Sequence, residues 1–117
     1  MTIEVYEHSA GRLFISYSDK KLSTGLLLLN PKTEFQTHNR PVQEQLTQVF
    51  GKCVIKLFEN DKIVKRVVLM EGRSLKIKPN QFHIHSNPYN RASVTMWKFE
   101  GDITDIIKNL RNTLRRL

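Results

Sequence analysis

The sequence predicts an all-β fold, a small barrel or sandwich, followed by one C-terminal amphipathic helix. Three observations predict it. Roughly the first hundred residues read as short runs punctuated by turn formers. The tail then switches to helical spacing. The length, 117 residues, fits one compact domain. A domain of this size buries roughly two-thirds of its unfolded-chain surface, enough for a core without disulfides or structural metal.

The strands follow in order. "RLFISYS" (12–18) ends at the turn "DKK", and "GLLLLN" (25–30) stops at Pro31, which would disrupt a central ladder. "QLTQVF" (45–50) meets Gly51, and "CVIKLF" (53–58) runs into "ENDK", rich in turn formers. "IVKRVVLM" (63–70) and "SLKIK" (74–78) flank Gly72, "FHIHS" (82–86) lies between "PNQ" and "NPYNR", and "ASVTMWKF" (92–99) closes the series. The barrel is expected over 1–101 and the helix over 102–117. In that tail Ile103, Ile106, Ile107, Leu110, Leu114 and Leu117 share one face, with Asp102 as the expected N-cap and Asp105 in the first turn. Lys108, Arg111, Arg115 and Arg116 occupy the other side, so the helix is expected to pack its apolar face on the barrel or on a partner subunit.

The formal charge of +8 raises nucleic acid as a partner, but the basic residues are scattered and no aromatic residues interleave with them as a base-stacking platform requires. Specific nucleic-acid binding is therefore not expected. The single cysteine, Cys53, excludes an intramolecular disulfide and reads as a small buried thiol. "MTIEVYEHSAG" has an early acid and no long apolar run, and "LLLL" at 26–29 is far too short to span a bilayer. A cytoplasmic protein without a membrane segment is expected. There is no Gly-x-Ser-x-Gly elbow, phosphate-cradling glycine loop or paired cysteine motif.

The polar residues of the strands carry the functional question. Residues two apart on a strand share a side. His38 and Arg40 thus point the same way if 37–40 is extended, which Pro41 encourages. Glu44, Leu46 and Gln48 share a face, as do His83, His85 and Asn87. Leu46 marks the Glu44 face as buried, and a buried carboxylate needs a partner: a metal ion, Arg40 or a protonated histidine. His8 has no partner in sequence and is expected to be exposed.

At these residues the chain resembles the cupins, small β-barrels defined by two motifs. The first runs glycine, five residues, His-x-His, three or four residues, glutamate, six residues, glycine; His38, Glu44 and Gly51 stand at those spacings. The second runs glycine, five residues, Pro-x-Gly, two residues, histidine, three residues, asparagine; Gly72, His83 and Asn87 stand at those spacings. The resemblance implies a double-stranded β-helix, or jelly-roll barrel, a metal site inside it and a homodimer. Gly51 and Gly72 are expected at tight reversals with positive φ.

Departures from the motifs bear on function. Arg40 replaces the second histidine of His-x-His, and a guanidinium cannot ligate a metal. Lys32 replaces the leading glycine, Lys78 holds the proline position and Asn80 the next glycine position. Three accounts stay open. In the first, His38, Glu44 and His83, with His85 as a further ligand, bind one divalent transition metal (iron, manganese, nickel or zinc), and Arg40 grips a carboxylate or phosphate of a substrate, as in a small oxygenase or isomerase. In the second, Arg40 pairs with Glu44 and a metal-free pocket binds a small anion or sugar. In the third, the cluster is a hydrogen-bonded remnant with no ligand; a separate functional alternative makes the basic helix an interaction module. Gln48, Asn87 and Trp97 are the further candidates for lining a ligand pocket inside the barrel.

Overall fold

The computed structural model describes residues 2–117. Alternation along the strands decides the architecture. Leu22–Leu29 (β3) and Ser93–Glu100 (β10) turn every second residue inward, so each can cover one side of a core and face solvent with the other. They pair antiparallel in register from Ser93↔Leu29 to Glu100↔Leu22. Around them a seven-stranded sheet adds Glu4–His8 (β1), Gly11–Ser18 (β2), Glu44–Phe50 (β5), Ser74–Ile77 (β8) and Arg115–Arg116 (β11) in the order β11-β1-β2-β3-β10-β5-β8. A four-stranded sheet comprises Thr33–Glu34 (β4), Lys52–Glu59 (β6), Lys62–Met70 (β7) and His83–Asn87 (β9) in the order β4-β9-β6-β7. Leu27, Leu46 and Trp97 from the first sheet meet Cys53, Ile55 and Leu69 from the second in one core. The expected strands are all present, displaced by no more than about three residues at their ends.

The tail corrects three expectations. The helix (α1) covers Thr104–Thr113 rather than 102–117, and Leu114 already has extended backbone angles. Beyond it, Arg115 and Arg116 pair with Glu7 and Tyr6 of β1. Asp102 is not the N-cap; that position belongs to Ile103, while Asp102 Oδ1, one residue earlier, accepts from Thr104 N at 2.9 Å and Thr104 Oγ1 at 2.6 Å. Ile103 and Ile107 enter the barrel core, with Ile106, Leu110 and Leu114 packed beside them, but Leu117 is exposed. On the basic side Arg111 makes a two-pronged contact with Glu4 at 2.8 and 2.7 Å, holding the Glu4 carboxyl below the usual carboxylate range, while Lys108, Arg115 and Arg116 are exposed. No helix is long and apolar enough to cross a membrane.

Gly51 and Gly72 have φ of +66° and +79°, and Asn80 and Lys32 also sit in the left-handed region at +63° and +60°. Both departures at glycine positions therefore keep the glycine-like backbone. The two glycines differ in surroundings. A Cβ on Gly72 meets nothing within 4 Å, whereas one on Gly51 lies 2.5 Å from the Ala92 carbonyl oxygen. Gly72→Ala is expected to cost about 1 kcal/mol, the left-handed strain alone, and Gly51→Ala about twice that or more. Equal losses in denaturant titration would contradict this.

Candidate metal centre

Each site residue is placed by the strand that carries it. Glu44 opens β5, where Glu44, Leu46 and Gln48 are buried and Gln45 and Thr47 are half-buried, as the alternation requires. On β9, His83 and His85 are both buried and flank the half-buried Ile84. His38 belongs to no named strand, yet it exchanges two backbone hydrogen bonds with His83, His38 N to His83 O at 3.0 Å and His83 N to His38 O at 2.9 Å. Segment 35–38 thus runs beside β9 and lays its histidine on the pair from β9. The ring centroids lie 4.2 Å apart for His38–His83 and 5.2 Å apart for both other pairs.

One potential ligand atom from each of His38, Glu44, His83 and His85 falls within 4.8 Å of all the others. Around an octahedral ion with ligands at about 2.1 Å, neighbouring ligand atoms are about 3.0 Å apart and opposite ones about 4.2 Å. The observed set therefore needs only a small contraction to close on one ion. The orphaned atoms are more telling. His83 Nε2 and Glu44 Oε1 are 2.8 Å apart, but they are not aligned as a hydrogen bond, and both remain buried without a hydrogen-bond partner. Such atoms are costly unless something else satisfies them. Glu44 Oε2 lies 3.9 Å from His85 Nε2.

Backbone carbonyls orient two of the rings. His38 Nδ1 donates to Gln36 O and His83 Nδ1 donates to Gln81 O, each at 2.9 Å. In a neutral ring this places the lone pair on Nε2, the arrangement usual for histidines that bind metals. Burial first, then the Arg40 charge and His83, push His38 down to about 2. Burial chiefly, and then His38, hold His85 well below its ordinary value. Neutral imidazoles suit a metal and resist protons.

In the unfolded chain histidines titrate near about 6.5. Between that value and the depressed folded values the unfolded state binds more protons, so stability falls as pH drops. Metal-free protein is expected to show a flat melting temperature above pH ~7 and a loss below ~6.5, each ring contributing up to about 1.4 kcal/mol per pH unit. His38→Gln should shallow that slope; an unchanged slope would show that His38 is not held neutral by the fold.

The remaining candidates separate. Arg40 is half-buried, donates to the Asn39 carbonyl at 3.2 Å and forms no ion pair with Glu44 among the described residues, although burial lowers its pKa and the Glu44 charge partly offsets this. Trp97 lines a cavity of about 40 Å³ together with His38, Arg40, Glu44 and His85. Gln48 lies elsewhere, bonded to Ser93 Oγ, Phe50 O and Thr95 Oγ1, with the Cys53 thiol donating to its Oε1. Asn87 ties a turn, donating to the carbonyls of Leu29, Asn30 and Arg91 and accepting from Tyr89 N. The exposed His8 of the sequence reading is half-buried instead, its ring edge-on to Phe35 at 4.7 Å, because Phe35 beside β9 covers it. Sequence reasoning missed Phe35 and the α1 residues Ile106, Ile107 and Leu110 as cavity walls; their signal was the apolar helix face.

Neither a family model nor a curated protein matches the sequence. Solved structures do. An RmlC-like cupin from Shewanella frigidimarina superposes with a TM-score of 0.72 at 16% identity, covering 90% of this chain and 89% of that one. Oxalate decarboxylase from Bacillus subtilis, an enzyme with Mn(II) centres, gives 0.75 at 19% identity over 84% of this chain. An oxalate oxidase bound to the substrate analogue glycolate gives 0.63 at 15% identity over 69% of this chain. The chain spans only 27% of the oxalate decarboxylase it matches. In its paired antiparallel sheets and in these likenesses, the chain has the cupin fold.

Proposed function

We propose that this protein binds one divalent transition metal through His38, Glu44, His83 and His85, with a small-molecule ligand admitted to the cavity beside it. The observation that supports the reading most is the buried contact between Glu44 Oε1 and His83 Nε2 at 2.8 Å, in which neither atom is hydrogen-bonded. Three imidazoles and a carboxylate suit iron, manganese, nickel or zinc, and the Mn(II) centres of the oxalate decarboxylase put manganese among the first to try. Such an ion supplies Lewis-acid or oxygen chemistry, as in a small oxygenase or isomerase. The test is titration of chelator-stripped protein with Co(II), followed by visible absorption. One equivalent should develop ligand-field bands, and a spectrum of free aqueous Co(II) would refute the reading.

Arg40 takes no part in ligation. Its charge lowers the proton affinity of both His38 and His85, so it also opposes a divalent ion. Arg40→His is expected to tighten metal binding by about tenfold or more, the equivalent of about 1.4 kcal/mol; unchanged affinity would place the side chain outside the centre's field.

We further propose a homodimer, as the resemblance to cupins implies, joined along β7. That strand ends the four-stranded sheet and exposes Val64, Val68 and Met70 beside Lys62, Lys65 and Arg66, an apolar strip that a second copy could cover. Sedimentation at the monomer mass across all concentrations would remove this part of the reading.

A further inference from the structure

Arg40 is a half-buried cation whose side chain donates to the Asn39 carbonyl, and no carboxylate among the described residues lies within ion-pair distance of it. It lines two spaces at once: the inner cavity of about 40 Å³ and an outer groove of about 530 Å³ between segment 35–40 and α1. A guanidinium has five donors, so most of those on Arg40 await an acceptor. An anion in the groove would face Arg40 and His38 across from Asp105 on α1, with Glu44 and His85 lining the inner cavity.

The inner cavity sets the rest of the ligand. Past the polar group its wall is apolar, formed by Leu13, Leu27, Trp97, Phe99, Ile103 and Ile107. A second charged group set against that wall, away from Arg40 and the histidine–glutamate cluster, would lack a partner. At about 10–15 Å³ for each water-sized probe, the space of about 40 Å³ takes a chain of only about three to four carbons. We infer that the ligand is a short unbranched aliphatic monocarboxylate, its carboxylate on Arg40 and its tail in the cavity under α1. The inference rests on the metal-centre reading for what stands beside that carboxylate.

Calorimetric titration of the purified protein tests it, with metal content measured on the same sample. The probes are acetate, propionate, butyrate, hexanoate, oxalate and inorganic phosphate. Affinity is expected to rise about fourfold per methylene from acetate to butyrate, as burial of a CH₂ requires, and to fall at hexanoate. Oxalate and phosphate should bind at least about tenfold more weakly than butyrate, and Arg40→Gln should weaken butyrate by a similar factor without reducing metal content. Ile106→Ala, at the boundary of both spaces, should move the optimum to a longer chain. Metal-replete protein that ignores butyrate, or that prefers oxalate or phosphate, overturns the ligand assignment and leaves the metal reading intact. Metal-free protein with the expected chain-length profile upholds the ligand assignment and overturns the metal reading.

Discussion

His83→Ala is expected to lower metal affinity by more than about a hundredfold, beyond the 10–100-fold typical when only an outer partner of a ligand is lost. The reason is positional. His83 is almost fully buried at 1% exposure, its ring is set by Gln81 O, and its Nε2 stands beside Glu44 Oε1. No other side chain among the described residues is placed to take over that position, since His38 and His85 are already counted in the cluster. Because the substitution also leaves Glu44 buried with fewer neighbours, Glu44→Gln is the companion test. It keeps the shape, removes the charge, and should release the metal while the stripped protein melts at the same temperature or higher. Binding of metal at unchanged affinity by both variants would show that neither residue is a ligand.

Gly25→Ala is expected to destabilise the protein by about 3 kcal/mol or more, lowering the melting temperature by about 10 °C or more. Gly25 lies in the middle of β3, directly opposite Trp97 on β10 and Ile15 on β2. The β2–β3 register shifts between Ile15 and Tyr17, and the Phe14 carbonyl lies close to the glycine. A Cβ would stand 1.8 Å from Phe14 O and 2.5 Å from Trp97 Cζ2. One of those is backbone, so rotamer changes cannot relieve it. Trp97 also walls the inner cavity, and its displacement should weaken ligand binding along with stability. A variant as stable as the parent would mean that the strand packing around Trp97 is looser than described.

How far the sequence could be read depended on which property of a strand was asked for. Alternation gives the side a residue faces: it put Glu44 on the buried face with Leu46, and His83 and His85 on one shared face, which the fold also buries. It does not give depth along the barrel. Gln48 shares the Glu44 face but lies farther along β5, where Ser93, Cys53 and Thr95 engage it instead of the cavity. Asn87 likewise shares the His83 face and holds a turn. β1 was missed because "EVYEH" carries two acids, and their partners, Arg111 and Arg115, come from the far end of the chain. The orienting carbonyls of Gln36 and Gln81 were invisible for a simpler reason: a backbone oxygen has no letter in the sequence. The placing of Arg40 near the cluster without a carboxylate on it is also a property of the packed state, since its spacing allowed an ion pair with Glu44 equally well.

The most direct measurement is the metal content of protein produced without a histidine tag and never exposed to chelator. The account expects close to one equivalent of iron, manganese, nickel or zinc per chain, falling away in Glu44→Gln. Less than about a tenth of an equivalent, with no uptake when those ions are added, would contradict it.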